Sequence, residues 1–78
     1  MDVKETNLQD LYVRKAIRGS AEFYQMSIEE QWRRLGMARA TWYRRMKNPG
    51  DFTVDNLRQM IKMFHWDAET VGKMLGLK

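Results

Sequence analysis

Gly36 and the triplet Asn48-Pro49-Gly50 break the middle of this chain twice in quick succession, and these breaks limit what it can fold into more than any other feature. A glycine tolerates the left-handed conformation that ends a helix and reverses the chain. Proline disfavours the helical conformation of the residue before it, and Gly50 is expected to supply the positive φ of a turn. The segments between the breaks are therefore short helices. Nowhere do apolar and polar residues alternate over a sustained run, so no strand is predicted and the fold class is all-α.

The helices can be read from their apolar spacing and their caps. The first runs from about Leu8 to Tyr24, with Leu8, Leu11, Tyr12, Ala16, Ile17, Ala21 and Tyr24 recurring at three- and four-residue intervals, Asn7 as its cap and Gly19-Ser20 weakening its middle. Ser27-Ile28-Glu29-Glu30 predicts a capping box: the Ser27 hydroxyl accepts from the third amide and Glu30 reaches back to the Ser27 amide. That second helix buries Ile28, Trp32 and Leu35 and stops at Gly36. From about Arg39 a third helix sets Trp42 and Met46 on one side and Arg39, Tyr43, Arg44 and Lys47 on the other. Thr53 caps a fourth helix with the stripe Val54, Leu57, Met60, Ile61 and Phe64, and Asp67 caps a short fifth that buries Val71, Met74 and Leu75 before Gly76. His65, at the end of the fourth helix, is expected to be partly exposed and to interact with the terminal carbonyls.

Seventy-eight residues support one small domain with one core. The expected organisation is a frayed N-terminal segment, 1–7, followed by a helical domain over 8–78. The chain has no cysteine and a single histidine, which rules out a disulfide framework or a thiolate metal site and leaves no cluster of ligands; no metal and no cofactor are expected. No apolar run approaches the roughly 18 residues of a spanning helix, and the first residues lack the order of a signal peptide, so a cytoplasmic protein is expected.

Charge is segregated. Gln31 to Gly50 contains no acid but carries Arg33, Arg34, Arg39, Arg44, Arg45 and Lys47, six of the chain's 14 basic residues. The remainder has eight basic and ten acidic residues, so the formal charge of +4 originates in this one stretch. A field that local marks a docking face for a polyanion. Two short helices joined by a glycine-containing turn, the second cationic, constitute a helix-turn-helix spanning about 28–47.

The stretch Met26-Ser27-Ile28-Glu29-Glu30, then Leu35-Gly36-Met37, then Arg39 through Pro49 resembles the phage Cro and repressor-like (XRE-type) family of helix-turn-helix regulators, over roughly Leu11 to Leu75. The resemblance implies a lambda repressor-like bundle of about five helices whose third helix enters the major groove of duplex DNA, and a role as a small phage or prophage transcriptional regulator in the bacterial cytoplasm. It matches Gly36 to the turn glycine, and Met37, Trp42 and Met46 to the positions anchoring the recognition helix. Arg39, Ala40, Tyr43 and Arg44 match base-facing positions; Ser27, Thr41, Lys47 and Asn48 match positions that touch phosphates. Two residues depart from the pattern. Trp32 stands where the family places alanine, so the indole either tilts the two motif helices or reaches past them. Ala38 stands where a serine or threonine commonly caps the recognition helix.

Chemistry supports the same assignment. A guanidinium near the start of a groove-inserted helix can donate two parallel bonds to O6 and N7 of guanine, which makes Arg39 the first candidate for base readout. Arg44 can reach an adjacent base or a phosphate, Tyr43 a thymine methyl, and Ala40 permits close apolar approach. Lys47 and Arg45 are placed to touch phosphates, which set register without reading sequence. Trp32 and Trp42 fall on apolar stripes and are expected to pack in the core rather than stack on bases.

Catalysis finds no support: no acids pair in a cleft, no hydroxyl has histidine as base, and no glycine-rich phosphate loop follows a strand. The alternative is a helix-turn-helix bundle that binds another protein, such as a polymerase subunit, a toxin or a repressor. A homodimer through Val71, Met74, Leu75 and Leu77 is expected from the symmetric use of half-sites in this family. A one-domain chain has no separate sensor, so no small-molecule effector is indicated.

Overall fold

Ser27, Thr53 and Asp67 each start a helix by accepting, through a side-chain oxygen, the backbone N–H three residues on, at 3.0, 3.0 and 2.8 Å. The structure, a computed structural model, describes residues 8–76, the side chain of Leu8 excepted. The elements are α1 (Leu8–Phe23), α2 (Ile28–Arg34), α3 (Arg39–Lys47), a 3-10 turn (Pro49–Asp51), α4 (Val54–Phe64) and α5 (Ala68–Met74). Among the described residues there is no strand, and the chain is a small all-α bundle. The expected fraying of 1–7, the Asn7 cap, the place of Leu8 on the apolar stripe and the use of Leu77 at a dimer face lie outside the described residues.

The caps differ in kind. At Thr53 the box is complete: Asn56 Oδ1 accepts the Thr53 N–H at 3.0 Å while the Thr53 hydroxyl accepts the Asn56 N–H. At Ser27 only the hydroxyl half is made, because the Glu30 carboxylate turns outward to Arg34 at 2.9 Å, one turn along the same helix. Asp67 accepts from Thr70, and that backbone hydrogen bond holds its carboxyl below the ordinary aspartate range, helped by the Thr70 side chain and weakly by Lys73. A depressed folded value means that the cap stabilises fully above the unfolded value of ~3.9 and fades as pH falls through the lower folded one. Acid titration of stability should therefore show the wild type losing ground to Asp67→Asn, whose neutral acceptor does not titrate; parallel curves would contradict the assignment.

The helix ends follow from the chain's few left-handed residues. After α2, Gly36 adopts φ 69°. Its N–H donates to the Arg33 carbonyl at 3.0 Å and the Met37 N–H to the Trp32 carbonyl at 2.9 Å, the paired bonds of a Schellman ending. Gly76 follows α5 at φ 77° with its N–H donating to the Lys73 carbonyl at 3.2 Å, and a side chain there would press on Gln9 at 3.0 Å. Gln25 and His65 also take positive φ, at 55° and 57°, without being glycine. The His65 N–H donates to the Ile61 carbonyl and its ring leans on Tyr24, with centroids 5.7 Å apart. Its terminal role is therefore carried by the backbone.

Gly50 departs from expectation. It does not take a positive φ; the chain turns instead through Asn48, at φ −126° and ψ 79°, into a 3-10 turn with Pro49 at its start. Proline's fixed φ suits the first position of such a turn and its missing N–H costs nothing there. Pro49 and Phe52 are both buried, so the break between α3 and α4 is part of the core.

Val13, Ile17 and Ala21 of α1, four residues apart, form the row that faces the bundle. They meet Trp42 and Met46 of α3, Met60 and Phe64 of α4 and Met74 of α5 in a single cluster, with Leu35, Met37 and Phe52 from the connections. Leu11 lies off that row and is exposed; Tyr24 is exposed because α1 ends at Phe23. The predicted stripes run past the area that neighbours cover: Ile28 and Val54, each opening a helix, are exposed, Val54 at 64%. Leu75 is exposed as well, whereas Met74 is buried and anchored by Gln9, whose Nε2 donates to the Met74 carbonyl at 2.7 Å. Of the three described residues expected at a dimer face, Met74 thus points into the core, Val71 is half-buried and Leu75 is exposed. Ser20, read as weakening α1, accepts the Trp66 indole N–H at 2.7 Å and ties α1 to the end of α4.

Candidate nucleic-acid interface

Nine residues make α3, and its two sides differ sharply. Trp42 is 2% exposed and Met46 9%, fixing the rotation of the helix about its axis. Trp42 meets Phe52 edge to face, with centroids 6.0 Å apart, and so is held from the α3–α4 connection as well as from the core. That rotation turns Arg39, Ala40, Tyr43, Arg44 and Lys47 to the exposed side. Neither Arg39, Arg44 nor Lys47 forms an ion pair with any carboxylate among the described residues. The Arg39 guanidinium lies over the Tyr43 ring at 5.6 Å, one turn along the helix, where the ring face supports a cation without neutralising it.

The acid-free block does not act as one field. Arg33 pairs with Glu29 and Arg34 with Glu30, each across one turn of α2, so two of its six cations are partnered by the acids just before it. Such exposed pairs contribute ~0–1 kcal/mol and leave the charges accessible. The uncompensated charge is concentrated on α3. The start of α3 has no side-chain cap, since Ala38 provides the extended residue (φ −75°, ψ 154°) but no acceptor, and its first amides remain open to an external anion.

Of the residues expected at phosphates, Ser27 is exposed at the start of α2, although its hydroxyl is engaged by the Glu30 N–H. Lys47 and Asn48 are exposed at the end of α3, and Thr41 is half-buried. Arg45 has a different setting. It is half-buried, and its Nη1 donates to Asn56 Oδ1 at 2.8 Å, the same oxygen that completes the Thr53 cap. Arg45 therefore joins α3 to the first turn of α4. Replacing Asn56 with alanine should cost ~1–3 kcal/mol of stability, because a half-buried guanidinium donor and a backbone N–H lose their acceptor together. Chemical denaturation of Asn56→Ala and Arg45→Ala checks this; unchanged midpoints for both would remove the join.

Sequence reading also missed residues that build the site. Gln31 is buried, and its Nε2 donates to the Met26 and Ser27 carbonyls at 3.3 and 3.2 Å, binding α2 to the connection that precedes it. A polar residue between two apolar positions gives no periodic signal for this. Arg14 of α1 reaches across to the Met46 and Lys47 carbonyls at 3.2 and 3.1 Å and so holds the far end of α3. Trp32 is half-buried against the core, with the Arg33 guanidinium 5.9 Å from its ring, and its carbonyl accepts one of the two bonds of the Schellman ending.

Beside α3, between the end of α1 and the start of α2, lies a mainly apolar hollow of about 310 Å³ whose walls include Met26, Ile28, Trp42 and Tyr43, with Arg18 and Glu22 also lining it. No helix among the described residues is long and apolar enough to cross a membrane. No family model, no curated protein and no solved structure matches the chain.

Proposed function

We propose that this protein binds double-stranded DNA by laying α3 in the major groove, as a small transcriptional regulator of the phage Cro and repressor kind, with α2, the Leu35–Ala38 connection and α3 as its helix-turn-helix. The observation that carries this reading is the two-sided α3: Trp42 and Met46 are locked in the core while Arg39, Arg44 and Lys47 project outward without carboxylate partners. A helix so anchored presents its cations at a fixed rotation, which base readout requires. In this reading Arg39, supported by Tyr43, meets a guanine; Ala40, Tyr43 and Arg44 complete the base-facing row; Ser27, Thr41, Lys47 and Asn48 meet phosphates. Arg45 orients α3 through Asn56 and meets phosphate only secondarily.

Selection of bound duplexes from a random pool tests the proposal. A short consensus is expected, repeated with two-fold symmetry at about one helical turn if two copies bind. A pool that shows no enrichment would count against it. A second reading, a protein-binding module, is favoured by the mainly apolar hollow at Ile28 and Tyr43, both of which are exposed. Under that reading Ile28→Ser abolishes partner capture, and the wild type itself shows no duplex binding.

A further inference from the structure

A second concavity, of about 700 Å³, opens between α1 and the C-terminal half of α3. Arg14, Arg18, Tyr43, Arg44, Met46 and Lys47 line it, four of them cations and none an acid. Converging cations normally repel one another, and a folded chain offsets this with a carboxylate; here no ion pair among the described residues involves any of the four. Glu22, one turn beyond Arg18, lines the neighbouring hollow together with it but forms no ion pair with it. The negative end of α3 is covered, because the Arg14 guanidinium satisfies the Met46 and Lys47 carbonyls that would otherwise oppose an arriving anion. Arg18, one turn along α1 from Arg14, is exposed and free to point its fork into the space that Arg44 and Lys47 also face.

We infer that this α1–α3 groove seats the phosphodiester backbone of one DNA strand, with Arg18 as the contact contributed by α1. The inference rests on the duplex-binding reading and deepens it: the basic face extends from α3 onto a helix outside the acid-free block. Arg18 donates to non-bridging phosphate oxygens and Lys47 closes the seat from α3, while Arg44, on the rim of the groove, reaches the bases.

The salt dependence of binding to a random-sequence duplex tests it, using the full chain. Neutralising one phosphate fewer should lower the slope of log K against log salt by about 0.9 in Arg18→Gln, so that its deficit relative to wild type shrinks about 3.5-fold between about 50 and about 200 mM salt. Arg18→Lys should keep most of the slope. Lys15→Gln removes the same charge from α1 on another side, where Lys15 lies with Tyr12, Gly19 and Trp66, and should leave the slope unchanged. Equal slopes in wild type and Arg18→Gln, or equal losses in Arg18→Gln and Lys15→Gln, would overturn the groove assignment while leaving duplex binding intact. A wild type that binds no duplex would overturn both.

Discussion

Trp42→Ala is expected to remove ~3–5 kcal/mol of folding stability, the cost of deleting a large buried aromatic whose space cannot fully collapse. A domain of this size has only roughly 5–15 kcal/mol in total, so the variant should be largely unfolded or close to it at 37 °C. The indole is 2% exposed, belongs to the cluster that unites α1, α3, α4 and α5, and holds Phe52 in the turn after α3. Its loss therefore removes both the core and the fixed rotation of the cationic face. Trp42→Phe keeps an aromatic in contact with Phe52 and should retain a cooperative transition at reduced midpoint. Thermal and denaturant unfolding followed by circular dichroism check both; a Trp42→Ala protein as stable as wild type would show that the anchor lies elsewhere.

Arg39→Ala should leave stability nearly unchanged, because the residue is exposed and makes no ion pair, yet cost ~1–3 kcal/mol of affinity at the selected site and relax preference at one base pair. The Tyr43 ring 5.6 Å beneath the guanidinium restricts where Arg39 points, so Tyr43→Phe should preserve the preference and Tyr43→Ala should weaken it. Lys47→Ala, a phosphate contact in this scheme, should weaken every sequence alike. Binding curves on the selected site and on single-base variants separate the two: equal, sequence-independent losses from Arg39→Ala and Lys47→Ala would reject the role assigned to Arg39.

Much of the fold was legible because local chemistry and tertiary packing agree. The caps at Ser27, Thr53 and Asp67, the reversal at Gly36 and the buried pair Trp42 and Met46 each follow from residues within one or two turns. What periodicity cannot supply is how far a neighbour extends over a stripe. Ile28, Val54 and Leu75 continue apolar rows beyond their cover, and Met74 is drawn inward by packing against α1 rather than left for a partner. Polar residues with long-range partners were equally hidden. Arg45 looks like another surface cation until Asn56, eleven positions away, receives it, and Arg14 gives no sign that it will span 32 positions to Met46. The exposed cations of α3 were legible in the charge block, whereas Arg14 and Arg18 of α1, which border them, were not.

Equilibrium binding to a random-sequence duplex across a salt series tests the central claim most directly, namely that the outward cations of α3 meet a polyphosphate duplex. Binding that is strong at low salt and falls linearly in log K, by about 0.9 per log unit of salt for each phosphate neutralised, is the predicted result. Absence of duplex binding at low salt, or an affinity indifferent to salt, would contradict it.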